Sequence, residues 1–381
     1  IINDDSNCIF YVPCSSIGDY KVAWTNYIDR IQSIPPCEET LAFKATYSDS
    51  RTYSAACGTY TELTTSVTKP TGYTASAMTS AEIGDCITSI GDDAFSYCSG
   101  LTSVAIPSNL TRIGDSAFKN CSGLTNVTMG SNVTTIGEQA FAYCSSLTSI
   151  GIKGSGASVE IPSGVTSINA RTFMGCISLT SVTIPDSVTS IGDCAFSDCY
   201  SLTSITIPDS VTSIGGYAFE DCTSLTSVTL NEGITELGNA SFQGTSNLRN
   251  ITFPSTLVAL GGTAFRQSGL REISGIPTVV TYLGSGVFAD MTSLTAATIP
   301  SSITGSSNNI FLRDTALKEV HFEGRTAPAL GADAFTNCTA LIKIVIQDCL
   351  EILKRKNELI RPCVSNIDIA IITTSVKEPN F

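Results

Sequence analysis

The chain has 381 residues, with 34 acidic against 21 basic side chains, 15 cysteines and one histidine. Only 14% of residues are charged and 42% are hydrophobic, while 48 Thr and 49 Ser fill a quarter of the chain. The apolar content is too high for disorder, no apolar run approaches the roughly 20 residues of a membrane helix, and a net charge of −13 argues against nucleic acid or an anionic membrane as partner, since both require clustered Lys and Arg.

In chain order, no charged segment followed by an apolar one opens the sequence; it begins mid-motif at Ile1-Ile2-Asn3-Asp4 and reads as a piece of something longer. Ile9-Phe10-Tyr11-Val12-Pro13 reads as a strand. Ser15 or Ser16 is placed to cap a helix carrying Ile17, Tyr20, Trp24, Ile28 and Ile31 on one face. Pro35-Pro36 breaks the chain. Leu41 to Tyr47 and Arg51 to Ala56, around Ser48-Asp49-Ser50, suggest a hairpin. Residues 58–82, Thr/Ser-rich with Lys69-Pro70-Thr71-Gly72, read as a linker or an irregular cap.

A repeat follows. Phe95, Phe118, Phe141, Phe173, Phe196, Phe219, Phe242, Phe265, Phe288, Phe311 and Phe335 recur at one constant step, broken once by a nine-residue insertion and once by a single extra residue. In one unit, Leu202, Ile205 and Ile207 alternate with Thr203, Ser204 and Thr206 and stop at Pro208, which is the pattern of a short strand. Val211-Thr212-Ser213-Ile214 is a second extended piece, and Gly215 turns the chain. Ala218-Phe219 and Cys222 lie about one helical turn apart, so the spacing predicts a short helical corner. No unit can bury these apolar residues alone, so neighbours must stack. Strands repeat at about 4.8 Å, and eleven turns make a rod roughly 50 Å long. Thr and Ser fill the outward strand positions, their hydroxyls facing water. At the C-terminal end, Leu350, Leu353 and Ile360 with Lys354-Arg355-Lys356 suggest a capping helix, and Ile367 to Ile372 a last strand.

The pattern Ile-Pro-x-x-Val-Thr-Ser-Ile-Gly-x-x-Ala-Phe-x-x-Cys-x-x-Leu-Thr closely resembles the BspA-like leucine-rich repeats of bacterial surface and secreted proteins. Thr245, Ser268, Met291 and Asp314 depart from it at the Cys position, and the step from Phe265 to Leu270 is one residue short. The resemblance implies an α/β repeat fold. It is a leucine-rich-repeat solenoid of about eleven turns, with a parallel sheet on its concave face and helical or 3-10 convex corners. It also implies adhesion or recognition, outside the cell or on its surface, of a protein or glycan of a host or neighbouring cell. In the family a Tyr-Val-Pro strand followed by an amphipathic helix ends repeat arrays. Residues 1–34 are accordingly read as the closing unit of a preceding array, 35–82 as hairpin and linker or cap, 83–348 as repeats and 349–381 as a C-terminal cap.

The residues favour binding over catalysis. Cys98, Cys121, Cys144, Cys176, Cys199, Cys222 and Cys338 all stand three residues after the Phe. One Cys per repeat cannot supply the close pairs of a zinc site, so this reads as a column of small buried hydrophobes. Cys8, Cys14, Cys37, Cys57, Cys349 and Cys363 lie in the flanks and could pair, with a connectivity that spacing does not fix. His321 has no nucleophile near it in sequence, and no phosphate loop or paired acid/base motif occurs. No catalytic residue, metal ligand or cofactor site is expected. The outward strand positions carry Thr, Ser, Ala, Asn or Gly in the early turns. From the seventh turn Arg249, Asn250, Arg271, Glu272, Lys318, Glu319, His321 and Lys343 take their place, the composition of a binding patch. Further candidates are the nine-residue insertion around Lys153 to Ser158, and Tyr97, Tyr143, Tyr200, Tyr217 and Tyr282, which could stack on sugars. The Asp-Ser strings at Asp115, Asp186 and Asp209 are a last one; they resemble a bacterial O-glycosylation consensus but serve equally as turns. The competing reading is a structural spacer or fibre segment that displays another domain.

Overall fold

The computed structural model describes residues 10–12, 31–33, 41–57, 60–152, 160–324, 328–331, 333–347 and 368–372. The repeats wind into a parallel β-solenoid whose two strands per turn build two faces. On the first face Ser103–Ala105 pairs with Asn126–Met129 and that with Ser149–Ile152, each residue opposite its counterpart one repeat on. Ser181–Thr183, Ser204–Thr206 and Ser227–Thr229 form a second block. Glu272–Ile273, Ala296–Ile299, Glu319–Phe322, Lys343–Gln347 and Asp368–Ile372 form a third. The second face runs through two-residue strands such as Ser213–Ile214, in blocks of four and seven.

Between the faces lies one apolar column. Val, Ile and Leu at the inward strand positions are nearly fully buried, as are all eleven repeat phenylalanines. From Phe95 to Phe335 the rings stack face to face, with centroids 5.0 Å apart at the tightest and 6.1 Å at the widest. Alternation along the strands dictates this burial, and the constant period stacks like on like.

The corners are not helical. In each Phe-bearing turn the residues two before and two after the Phe have left-handed backbone, as at Tyr217 (φ 57°) and Asp221 (φ 53°) around Phe219. Successive N–H groups then alternate in direction. Tyr217, Phe219 and Asp221 donate to Asn239, Ser241 and Gln243 of the next turn, while Glu220 and Cys222 donate back to Tyr217 and Phe219. A helix would point its N–H groups along a single axis and could not alternate them between the corner itself and the neighbouring turn. The left-handed positions carry Asn120, Asp198, Asp221, Gly244, Asp290 and Asn337, residue types that tolerate positive φ, a signal the Ala-Phe-x-x-Cys spacing hides. Gly215 answers a different need: a Cβ there would lie 2.6 Å from the Asp193 backbone nitrogen of the preceding turn.

The threonines do more than face water. Thr125, Thr203 and Thr226 hydroxyls donate to the carbonyls of Thr102, Thr180 and Thr203 at 2.9, 3.1 and 3.0 Å. Thr189 and Thr212 repeat the bond on the second face. The hydroxyl thus ties each turn to the one before, while the β-branch suits the strand.

Of the segment expected as a linker or an irregular cap, residues 60–82 are ordered as a cap. Glu62–Leu63, a short α-helix at Thr65–Thr68 and Met78–Ile83 make a twelfth turn, joined to the second face at Ser89–Ile90 and to the first at Ser103–Ala105. Leu41–Tyr47 pairs antiparallel with Met78–Ile83 and with Thr52–Ala56, so a hairpin covers the open edge of the first face. Phe43 closes the ring stack edge-on, 5.8 Å from Phe95. Thr68 donates to the Ala94 carbonyl, and Lys69 Nζ to the Asp93 carbonyl at 2.7 Å.

A disulfide joins Cys57 to Cys86, a residue the flank reading left out. It closes a loop of 29 residues, worth about 3.5 kcal/mol on the chain-entropy account. Replacing both cysteines by serine should therefore free the hairpin. Hydrogen exchange should show lost protection at Leu41–Ala56, with the turns beyond Leu202 unchanged; uniform loss along the coil would contradict this.

Ile31, expected on a helix face, lies in a strand. Ile31–Ser33 pairs parallel with Phe10–Val12, which uses backbone groups a helix would turn inward. The rest of that expected helix, the Lys153–Ser158 insertion and the Leu350–Ile360 helix lie outside the described residues. The strand expected at Ile367 to Ile372 is found at Asp368–Ile372, parallel to Lys343–Gln347.

Candidate recognition surface

The outward rows of the first face are set by register. Glu272, Ala296, Glu319 and Lys343 fall in one row, and Thr298, His321 and Val345 in the next but one. Arg271 and Lys318 sit one residue before Glu272 and Glu319, are exposed, and have no ion-pair partner among the described residues. Lys343 Nζ lies 2.7 Å from Glu319 Oε1, so this pair neutralises itself. Glu272 and Glu319 are two strands apart, about 9.6 Å. Six of the eight predicted residues therefore share one block of sheet.

Arg249 and Asn250 do not. Among the described residues, Asn250, Ile251 and Thr252 make no backbone hydrogen bond to either neighbouring turn, and the first face breaks there while the second continues. Arg271 still donates to the Arg249 carbonyl at 3.4 Å, the register of the other turns, so the break is confined to Asn250–Thr252. Arg249 Nη1 reaches the Gly269 carbonyl at 3.2 Å and bridges the gap. Its guanidinium has a structural task that the outward-row argument missed.

The cysteine column is buried throughout. Each thiol from Cys121 to Cys222 donates to the carbonyl of the previous turn's phenylalanine, at 3.0 Å for Cys121 on Phe95 and 3.3 Å for Cys199 on Phe173. Burial pushes the Cys98 thiol up to about 12 and holds the others high as well, so they stay protonated donors. Asp314 takes this place in its own turn. It is fully buried, its Oδ1 accepts the Met291 N–H at 2.7 Å, its Oδ2 has no partner, and burial raises its pKa to about 8.

The five tyrosines are all exposed, Tyr97 most at 60%, but only Tyr97 and Tyr143 share a position of the turn, two turns apart, and Tyr200, Tyr217 and Tyr282 stand at others. Tyr200 donates to Asp198 Oδ1 at 2.8 Å, and that bond holds its hydroxyl up at about 12. Ser187 and Ser210 of the Asp-Ser strings donate to the Val165 and Val188 carbonyls at 2.7 and 2.6 Å, as turn residues do. Among the described residues, no group of three His, Cys, Asp or Glu side chains could hold a metal ion, and no helix is long and apolar enough to cross a membrane.

Two ladders of short parallel strands around a stacked apolar column define a leucine-rich-repeat solenoid. A family model of BspA-type leucine-rich repeat regions, six repeats long, matches residues 69–159, 153–271 and 235–366. The chain belongs to this family. It is similar to a solved leucine-rich repeat protein of Bacteroides ovatus, at 28% identity over 71% of this chain and 83% of that one, with a TM-score of 0.51. A leucine-rich cell surface protein of Faecalibacterium prausnitzii is 28% identical over 80% of this chain and 93% of its own, with a TM-score of 0.42. A 32-residue stretch is 61% identical to the small ribosomal subunit biogenesis GTPase RsgA of Limosilactobacillus fermentum. That stretch is 8% of this chain and 11% of the GTPase, so the chain spans only a small part of the curated relatives it matches.

Proposed function

We propose that the protein is a non-catalytic recognition module, secreted or held at the cell surface, that binds a protein or glycan through the C-terminal block of its first face. One observation carries this reading. Thr and Ser rows give way to Arg271, Glu272, Lys318, Glu319, His321 and Lys343 on a single five-stranded sheet. The Cys57–Cys86 bridge fits an oxidising compartment. Reversing Arg271 and Lys318 to Glu should weaken binding to immobilised matrix proteins, host cells or arrayed glycans by about tenfold or more. An intact protein that binds none of these would sink the reading. A rigid spacer is the second possibility, favoured by the uninterrupted ring stack from Phe95 to Phe335. A spacer would keep its function after charge reversal.

A further inference from the structure

Most polar side chains of this coil are consumed by the coil itself. Threonines of two rows donate to backbone carbonyls of the preceding turn. Asp92, Asp115, Asp193 and Asn239 accept the N–H of the residue one turn on, at 2.7 to 2.9 Å. Glu232, in the turn after Pro208-Asp209, accepts both the N–H and the hydroxyl of Ser255.

A groove of about 520 Å³ runs along the margin of the first face where the strands end, lined by Thr183, Asp186, Thr206, Asp209 and Asn231, over the buried Val182, Ile184 and Pro208. The hydroxyls of Thr183 and Thr206 and the carboxylates of Asp186 and Asp209 make no hydrogen bond or ion pair with any described residue. Asn231 spends its amide N–H on the Ile207 carbonyl and leaves its Oδ1 free. Two hydroxyls, two carboxylates and an amide oxygen thus converge, unused, on one concavity. Because the repeat copies them, the Thr and Asp of one turn stand about 4.8 Å from those of the next.

We propose that this groove is a binding site for a neutral saccharide chain, separate from the charged C-terminal block. Carboxylates with no cationic partner accept hydrogen bonds from adjacent hydroxyls of a pyranose ring, and threonine hydroxyls both donate and accept. The acceptor surplus excludes anionic ligands, which two unpaired carboxylates repel. The volume accommodates one or two rings at the small end of ligand sites.

Titration of the intact protein by calorimetry with the neutral disaccharides cellobiose, maltose, lactose, chitobiose and mannobiose, alongside a neutral-glycan array, tests the assignment. Saturable binding to at least one of them is expected. Asp209→Ala should weaken it about tenfold, and Asp186→Ala with Asp209→Ala should abolish it. Thermal unfolding should be unchanged, because these carboxylates hold nothing in the fold. Arg271→Glu with Lys318→Glu should leave saccharide binding intact, which separates this site from the charged block. The proposal is overturned if no neutral saccharide binds, if the double alanine variant binds as well as the parent, or if binding disappears on chelating divalent cations.

Discussion

Replacing Phe219 by alanine should destabilise the protein by about 4 kcal/mol and split its unfolding into two steps. Phe219 is fully buried and lies 5.4 Å from the Phe196 ring and 5.2 Å from the Phe242 ring, nearly parallel to both. Its loss leaves a cavity in a column whose walls cannot close, because each turn is fixed at strand spacing on both faces. A solenoid's stability is a sum of units and nearest-neighbour interfaces, so one weak turn decouples the two sides. Urea unfolding followed by hydrogen exchange should show turns on either side of Phe219 opening at different concentrations. Phe219→Leu, which keeps most of the volume, should cost less than about 1.5 kcal/mol. A single sharp transition for the alanine variant would show the ring stack to be energetically idle.

Asp314 gives the second large effect, and with opposite sign: replacing it by cysteine should stabilise the protein. A carboxyl group that titrates near 8 when folded and near 3.9 when unfolded is protonated in one state and ionised in the other at neutral pH. The unfolded chain then binds fewer protons, so stability falls as pH rises from about 4 to about 8 and is level outside that window. Over the three pH units to pH 7 the loss is on the order of 4 kcal/mol. The neighbouring charges do not relieve it. Asp290 opposes ionisation, and its own carboxylate is engaged by Arg266 and Arg313 at 2.7 and 2.5 Å. Cysteine restores the thiol donor that Cys121, Cys144, Cys176, Cys199, Cys222 and Cys338 supply in other turns. At pH 8 Asp314→Cys should unfold at markedly higher denaturant than the parent, and at pH 4 the two should nearly coincide. Equal gains at both pH values would show that packing, not the proton, sets the difference.

Much of the coil was legible because the period is in the phenylalanines. One buried ring per repeat, with Leu, Val and Ile at alternate strand positions, admits one way of stacking. The corners were misread because apolar spacing carries no record of φ. The signal lay instead in the Asn, Asp and Gly residues that stand two places after most of the phenylalanines. Placing the charged rows needed only alternation, and Glu272, Glu319 and Lys343 fall where alternation puts them. The fate of Arg249 could not be read that way, since its guanidinium bonds a carbonyl of the next turn, Gly269, that alternation along its own strand does not bring near. The groove was invisible for a related reason. Thr206 and Thr203 are identical in sequence, and only the fold shows that one hydroxyl is spent and the other free.

Around each phenylalanine the backbone donors between turns aim toward the C-terminal end, as at Tyr217, Phe219 and Asp221, while on the second face Thr212, Gly215 and Gly238 donate toward the N-terminal end. At the phenylalanine corners alone the two tips therefore differ, with carbonyls at one and N–H groups at the other. The carbonyl tip is a template that another coil's N–H tip could extend head to tail, never head to head. The N-terminal hairpin, Thr68 and Lys69 occupy that tip, and the antiparallel turn of the sheet there ends the template. Seen so, the cap is what closes the exposed carbonyls of the first corner to a further turn.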